Sequence, residues 1–393
     1  MPKALIAGGG IAGTAAALAL ARAGWQVTVF ERRPELGEIG AGLQVSPNAA
    51  RVLDWLGVLD AVRGSAFVPH SGVLRDGRTG AEIYRAALAD AARDRWGAPY
   101  LHLHRADLLS VLVNAARAEG VHLELGCAVE RTVEHPGHIA LHMADGAIHE
   151  ADLVLGADGI HSALRKAVLP DEAPRFTGQV AWRGLVPADA VPEGTIPPDA
   201  TVWAGEGRHL VTYYLRGGAL INFVAVEERD DWTEESWSAP GDPDALRACF
   251  QGWHAAPKTL LNAVGECFLW GLFDRPEQVR WTQGRLALIG DAAHPMLPFM
   301  AQGAAMALED VAVLVRHLGA AEISEALSLW EDERWPRVTR VLQQARANGR
   351  MFHRAPGAMR AASRAVVGTV SKLAPGLAAG QLDWLYGFDP VAG

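Results

Sequence analysis

The chain has 393 residues, half of them apolar and about a fifth charged, which suits a soluble protein with two domains or one domain carrying a large insertion. Its formal charge of −9 is spread without long runs of one sign, which argues against nucleic acid or an anionic membrane as the main partner. Cys127, Cys249 and Cys267 have no metal-ligand spacing and cannot build a disulfide framework, so no metal centre and a reducing cytoplasm are expected.

The first residues, MPKALIAGGGIAGTAAALALARAG, are as apolar as a signal peptide, but glycines 8–10 would break its helix and only Lys3 is basic. The pattern predicts a strand over 4–7, a tight turn over 8–13, a helix over 14–23 stopped by Gly24, and a second strand over 26–30. Helices are expected at 47–57 and 105–119, an extended run near 121–130, and a strand closing at 153–158. Residues 177–230 alternate as β-structure, 231–265 are rich in Trp, Pro and Glu, and α/β character resumes at Leu286. From about 304 the chain is mostly helical, with Pro336 expected to break or kink one long pattern. No stretch approaches a membrane span. The expected fold is α/β: a Rossmann-like nucleotide-binding domain (1–70, 98–176 and 280–320) interrupted by a β-sheet substrate domain (71–97 and 177–279), with a C-terminal helical region (321–393).

Gly8, Gly10 and Gly13 form a GxGxxG turn between strand and helix. The first glycine permits the turn, the second lets a pyrophosphate approach the backbone, and the third lets helix and strand pack closely. The helix start offers amide donors to phosphate. Glu31, at the end of the second strand, is placed to bind ribose hydroxyls, which favours NAD or FAD over NADP. Arg32 beside it joins the cofactor-binding set, although the Arg32–Arg33 pair does not decide between NADH and NADPH.

Two further strand ends carry Asp158-Gly159, with Ser162 placed to cap the helix bearing Arg165, and Gly290-Asp291. In this order the three motifs resemble those of the class A flavin-dependent aromatic hydroxylases, which have the para-hydroxybenzoate hydroxylase fold; the subgroup with salicylate hydroxylase and 3-hydroxybenzoate 6-hydroxylase is the most similar. GAGLQVSPNAARVLDWLG, HRADLLSVL, AWRGLVP and the terminal DWLYGFDP match as well. The resemblance implies FAD as cofactor, with Asp158 in the DG motif and Asp291 buried against the ribityl hydroxyls. It also implies that Arg105 touches FAD and that Gly42, Leu43, Gln44 and Val45 run along the isoalloxazine. After Asp291, His294, Pro295 and Pro298 hold an extended segment, and Gln302 and Gly303 open a small-residue helix whose N-terminus would face the reduced flavin. His294 is expected in a structural or FAD-packing role, and Leu297, Pro298, Phe299 and Met300 along the pocket.

RHLVTYYLRGGALINFVAV reads as a hairpin with Gly217 and Gly218 in a two-residue turn, which pairs Tyr213 with Asn222 and sets His209, Tyr213 and Asn222 on one face. By the same resemblance a His and a Tyr four residues apart help activate a phenolic substrate, so His209 and Tyr213 are the catalytic candidates. Arg183 is expected to end a strand rather than to anchor a carboxylate, and Trp232, Trp237, Trp253, Trp270 and Trp281 to pack core and lid. The implied reaction is hydroxylation of a small hydroxylated aromatic acid or phenol by a monomer or homodimer. NADH or NADPH and O₂ are consumed, through a flavin C4a-hydroperoxide. A hydroxynicotinate-like or polyketide-like substrate, a flavin oxidase or dehydrogenase, and a non-catalytic dinucleotide sensor are the alternatives; Phe299 before AQG favours a carbocyclic ring over a hydroxypyridine.

Overall fold

The computed structural model describes residues 1–37, 42–169, 174–230, 239–275, 280–353 and 380–392; Trp232, Trp237 and the stretch from Ala355 to 379 lie outside them. The chain opens with β1 (Lys3–Ala7), α1 (Ile11–Arg22) and β2 (Gln26–Glu31), the expected βαβ unit. β1 is central in a six-stranded sheet, with β2 and then His122–Leu125 on one side. On its other side follow Leu153–Gly156, Leu286–Leu288 and Thr282–Gln283. All neighbours are parallel except the last pair. Parallel strands are covered on both faces, which is why β1 and Leu153–Gly156 read as unbroken apolar runs.

The strand order has a functional consequence. Ala7, Gly156 and Leu288 are in register on three adjacent strands. The glycine turn, Asp158-Gly159 and Gly290-Asp291 therefore emerge together at the carboxyl edge of one sheet, where ligands bind in open α/β sheets.

Over the same sheet pack Gly303–Leu318 and the 30-residue helix Ile323–Phe352. Pro336 does not break the latter. Its missing N–H removes one helical bond, but Arg334 and Arg337 on either side are clamped by ion pairs to Glu309 and Asp310.

A second, eight-stranded sheet takes Ser71–Asp76 and Glu82–Ala87 at one edge and builds inward through Ala200–Gly205, Arg208–Leu215, Leu220–Glu228 and Arg175–Pro187 to Cys267–Asp274 and Ala239–Gly241. One face is sealed by its own core, with Trp182, Trp203, Leu210, Phe223 and Trp253. The other face places Ala181, Val226, Trp270 and Leu272 against Leu297, Phe299 and Phe352. Trp281 packs in the nucleotide-side core, so all three described tryptophans of the predicted set are core residues.

The predicted register Tyr213–Asn222 is present, but the turn is longer than two residues. The ladder ends at Leu215–Leu220, and Arg216, Gly217 and Gly218 all have left-handed φ. Lengthening the loop symmetrically leaves the pairing unchanged. Arg183 lies inside the 13-residue strand Arg175–Pro187, not at a strand end.

Candidate active site

The glycine turn is built as its spacing requires. Gly8 has φ +105°, and a Cβ there would lie 2.4 Å from the Ala157 carbonyl oxygen. At Gly13 it would lie 2.0 Å from the Gly8 carbonyl oxygen. At Gly10 it would meet nothing within 4 Å, so the chain offers bare backbone on an open side, at the cap of α1. Glu31 braces this turn: Oε2 accepts from Gly9 N–H (2.8 Å) and Oε1 from Arg33 N–H (3.0 Å). Arg32 is exposed beside it.

Asp158 follows the adjacent strand. Its Oδ2 accepts from Ala163 N–H (2.8 Å), while Oδ1 is buried without a partner. Burial pushes its carboxyl above the ordinary range, against hydrogen bonds from Ser162, Ala163 and Leu164. Ser162 Oγ accepts from Arg165 N–H (3.1 Å) as anticipated, and Arg165 donates to the carbonyls of Ala292 (2.6 Å) and Ala293 (3.0 Å), locking the DG and GD segments together.

Asp291 lies just past the end of the Leu286–Leu288 strand, and only a bound ligand could cover it. The strand ends at Leu288, Gly290–Ala292 is a 3₁₀ turn, and the Asp291 side chain is exposed, so nothing in the protein buries it. The buried acid of this region is Asp310. It accepts from Gly290 N–H (3.0 Å), His294 Nε2 (2.6 Å) and Arg334 Nε (2.9 Å). Burial pushes its carboxyl up, but His294, Arg334 and the Gly290 amide outweigh that and hold it below the usual range. His294 is thus a brace for the turn, and it packs on Trp281.

Next to Asp310, Glu309 bonds Arg334 (2.6 Å), Arg337 (2.6 Å) and Asn48 (2.7 Å). Asn48 and Ser46 in turn hold Gln302. The Gln302 side chain is therefore held by Asn48 and Ser46, with its backbone and that of Gly303 at the helix start. Sequence reading missed this network; its signal was the adjacent acids ending MALED in an otherwise apolar helix.

On the open face of the eight-stranded sheet, His209 and Tyr213 share one side with Asn222 across the ladder. Asn222 Oδ1 accepts from Gly42 N–H (2.8 Å), and its Nδ2 is buried without a partner. A Cβ at Gly42 would lie 2.7 Å from the Tyr213 hydroxyl, so Tyr213 and Asn222 lie directly under Gly42–Val45. In that strand Gln44 accepts from the Tyr100 hydroxyl (2.5 Å), Leu43 is half-buried, and Val45 is buried in the nucleotide-side core. His209 sits at the other end of the face, against Phe299 and Phe352. Four strand residues span about 13 Å, so His209 and Tyr213 stand at opposite ends of this face.

Burial drives the His209 imidazole well below 6.5, with His353 adding to it, and drives the Tyr213 phenol above its usual range. Both are neutral near pH 7. Leu297 and Phe299 line the face, whereas Pro298 is exposed and Met300 packs on the nucleotide-side core. Arg183 shares this face through its pairing with Val224, is buried, and lies 4.9 Å over the Trp270 ring. Arg105 begins the helix Arg105–Ala118, half-buried.

His102, beneath Tyr213, is fully buried and neither ring nitrogen has a hydrogen-bond partner. Burial lowers its pKa to about 3, which the Tyr214 backbone offsets only a little. The unfolded chain protonates this ring below 6.5, the fold only near 3. The unfolded state thus binds more protons inside that window, and stability falls as pH falls through it. The loss through His102 alone should reach about 3 kcal/mol by pH 4. His102→Phe should flatten the slope of denaturant-derived stability between pH 7 and pH 4.

The residues fit a bound FAD: bare backbone at Gly10, an unpaired buried oxygen on Asp158, the exposed Asp291 carboxylate, and a helix start at Gln302 and Gly303 meet at one sheet edge. Among the described residues no group of acids, histidines and cysteines could hold a metal ion, and no helix is long and apolar enough to cross a membrane.

Comparison with known proteins agrees with this geometry. The FAD binding domain family matches residues 1–345. A 3-amino-4-hydroxybenzoate 2-monooxygenase of Streptomyces platensis is 39% identical over 99% of this chain and 96% of its own. A 6-hydroxynicotinate 3-monooxygenase of Bordetella bronchiseptica is 37% identical over 88% of this chain and 91% of its own. A salicylate hydroxylase in complex with substrate superposes with a TM-score of 0.83 at 28% identity, covering 100% of this chain and 96% of that one. With three strand-end motifs at one sheet edge and relatives spanning nearly its whole length, the chain belongs to the FAD-dependent class A aromatic hydroxylases.

Proposed function

We propose that this monooxygenase hydroxylates a small benzoic acid bearing a ring hydroxyl, of the aminohydroxybenzoate or hydroxybenzoate class. The observation that carries the reading is the single sheet face holding His209, Tyr213, Asn222 and Arg183 opposite Leu297 and Phe299. FAD, when bound, takes electrons from NAD(P)H and activates O₂. The chain positions the ring and excludes water. Arg183 supplies a cation for the substrate carboxylate, oriented by Trp270. His209, kept neutral by burial, accepts the ring-hydroxyl proton and so raises ring nucleophilicity. Tyr213, kept protonated, serves as a hydrogen-bond donor rather than a base. Leu297 and Phe299 dry the face. The unpaired cysteines and the demand for NAD(P)H favour the cytoplasm.

A hydroxynicotinate is the second reading, supported by the Bordetella relative; Phe299 on the pocket face favours the carbocycle. The test is a panel of aminohydroxybenzoates, hydroxybenzoates and hydroxynicotinates, with the benzamide counterpart of each acid. Stimulated NAD(P)H oxidation should require ring hydroxyl and carboxylate together. Stimulation confined to hydroxynicotinates, or equal for acid and amide, would reject it. His209→Ala should slow hydroxylation about 10²–10⁴-fold with FAD retained, and Tyr213→Phe less. Wild-type hydroxylation and coupling in the double variant would remove both residues from the chemistry.

A further inference from the structure

The histidine on the pocket face does not stand alone. His209 Nδ1 lies 2.6 Å from His353 Nε2, and His353 Nδ1 lies 2.9 Å from Glu228 Oε1 and 3.3 Å from the Gln179 amide nitrogen. His209 is 1% exposed and His353 6%, whereas the Glu228 side chain is 55% exposed. The three groups come from different elements: the strand Arg208–Leu215, the end of the helix Ile323–Phe352, and the strand Leu220–Glu228. One turn fixes them. Gly207 N–H donates to the His353 carbonyl (3.1 Å), and Glu228 N–H donates to the Gly207 carbonyl (2.9 Å).

We propose that His353 and Glu228 form a proton path from His209 to the surface, with His353 a positioning residue that acts through His209. The inference rests on the assignment of His209 as acceptor of the substrate proton. With Nδ1 turned to His353, the His209 Nε2 is left for the substrate. The ring-hydroxyl proton moves to His209 Nε2, the proton on His209 Nδ1 moves to His353 Nε2, and the proton on His353 Nδ1 moves to Glu228 Oε1. Each ring gains one proton and loses one, so neither stays charged. Run backwards when the product hydroxyl is reprotonated, the path restores both tautomers.

The surroundings call for such an exit. A lone His209 cation would be held between Phe299 and Phe352, with centroids 5.3 and 5.2 Å from its own, and a buried charge without a partner is costly. Burial lowers the basicity of both rings; at His353 Glu228 partly restores it while Arg208 opposes. Among the described residues Glu228 is the one anion in contact with the pair, and its side chain is exposed.

The test uses FAD-loaded full-length protein in two arms. In the first, ¹⁵N-histidine spectra are compared between wild type and Glu228→Gln. The path requires the His209 ring signals to move although Glu228 does not touch that ring; wild-type His209 signals in the variant would overturn it. Glu228 is at the surface, so this arm stands even if a core variant fails to fold. In the second arm, single-turnover hydroxylation of 3-amino-4-hydroxybenzoate is followed in H₂O and D₂O. His353→Gln should slow hydroxylation about tenfold, change its pH profile and solvent isotope effect, and leave FAD bound. If His209→Ala abolishes hydroxylation while His353→Gln keeps the wild-type rate and isotope effect, the path is wrong and His209 remains the acceptor. If His209→Ala itself hydroxylates normally, the acceptor assignment fails and the path with it.

Discussion

Arg334→Met is expected to cost about 3–5 kcal/mol of stability and to release FAD on heating well below the wild-type midpoint. Arg334 is fully buried, and it neutralises Glu309 and Asp310, which are fully buried too. Removing it leaves two carboxylates in the core with Arg337 as their neighbouring guanidinium and Asn48, His294 and the Gly290 N–H as hydrogen-bond partners. The effect reaches the site because Asp310 holds Gly290 N–H, the first residue of the GD turn. Adding Glu309→Gln should recover part of the loss by removing a charge that the single variant strands. Thermal and denaturant unfolding, with flavin fluorescence as a second readout, would check both. An Arg334→Met protein of wild-type stability would show that the network is not what holds the turn.

The glycine turn gives the second large effect, and it separates binding from folding. Gly13→Ala should damage the fold, since its Cβ would collide with the Gly8 carbonyl oxygen in the backbone. Gly10→Ala should fold normally, because its Cβ enters open space, yet bind FAD at least about tenfold more weakly, because that space is where a pyrophosphate approaches. Unfolding curves and FAD titration of the two variants provide the comparison. Equal loss of stability in both would contradict the assignment of Gly10 to the phosphates.

The difference between these two sites is also the difference between what the sequence shows and what it hides. The glycine turn is local: strand, turn, helix and Glu31 fall within 31 residues, and each has a short-range signature. The hairpin register was legible for the same reason, since alternation about Gly217 and Gly218 fixes Tyr213 against Asn222 whatever the loop length. Contacts made at long range were not. Asp310 meets His294 sixteen residues away and Arg334 twenty-four away, and His209 meets His353 across 144 residues. No spacing rule connects such pairs. The helix runs on through Pro336 rather than ending there for a related reason: local propensity disfavours a helix at proline, while Arg334 and Arg337 on either side make long-range ion pairs. Asp291 is the opposite case: the turn after Leu288 leaves it exposed, so what would cover it is a ligand that the sequence alone does not show.

The central claim is that this chain inserts oxygen into a hydroxylated aromatic acid. The most direct measurement is hydroxylation of 3-amino-4-hydroxybenzoate or a hydroxybenzoate by the FAD-loaded protein under ¹⁸O₂ with NADH or NADPH, following nucleotide, peroxide and product mass together. One ¹⁸O per product, with nucleotide consumed in equal amount and little peroxide, is the expected result. Rapid nucleotide oxidation that yields only peroxide, with no labelled product from any acid of that class, would contradict it.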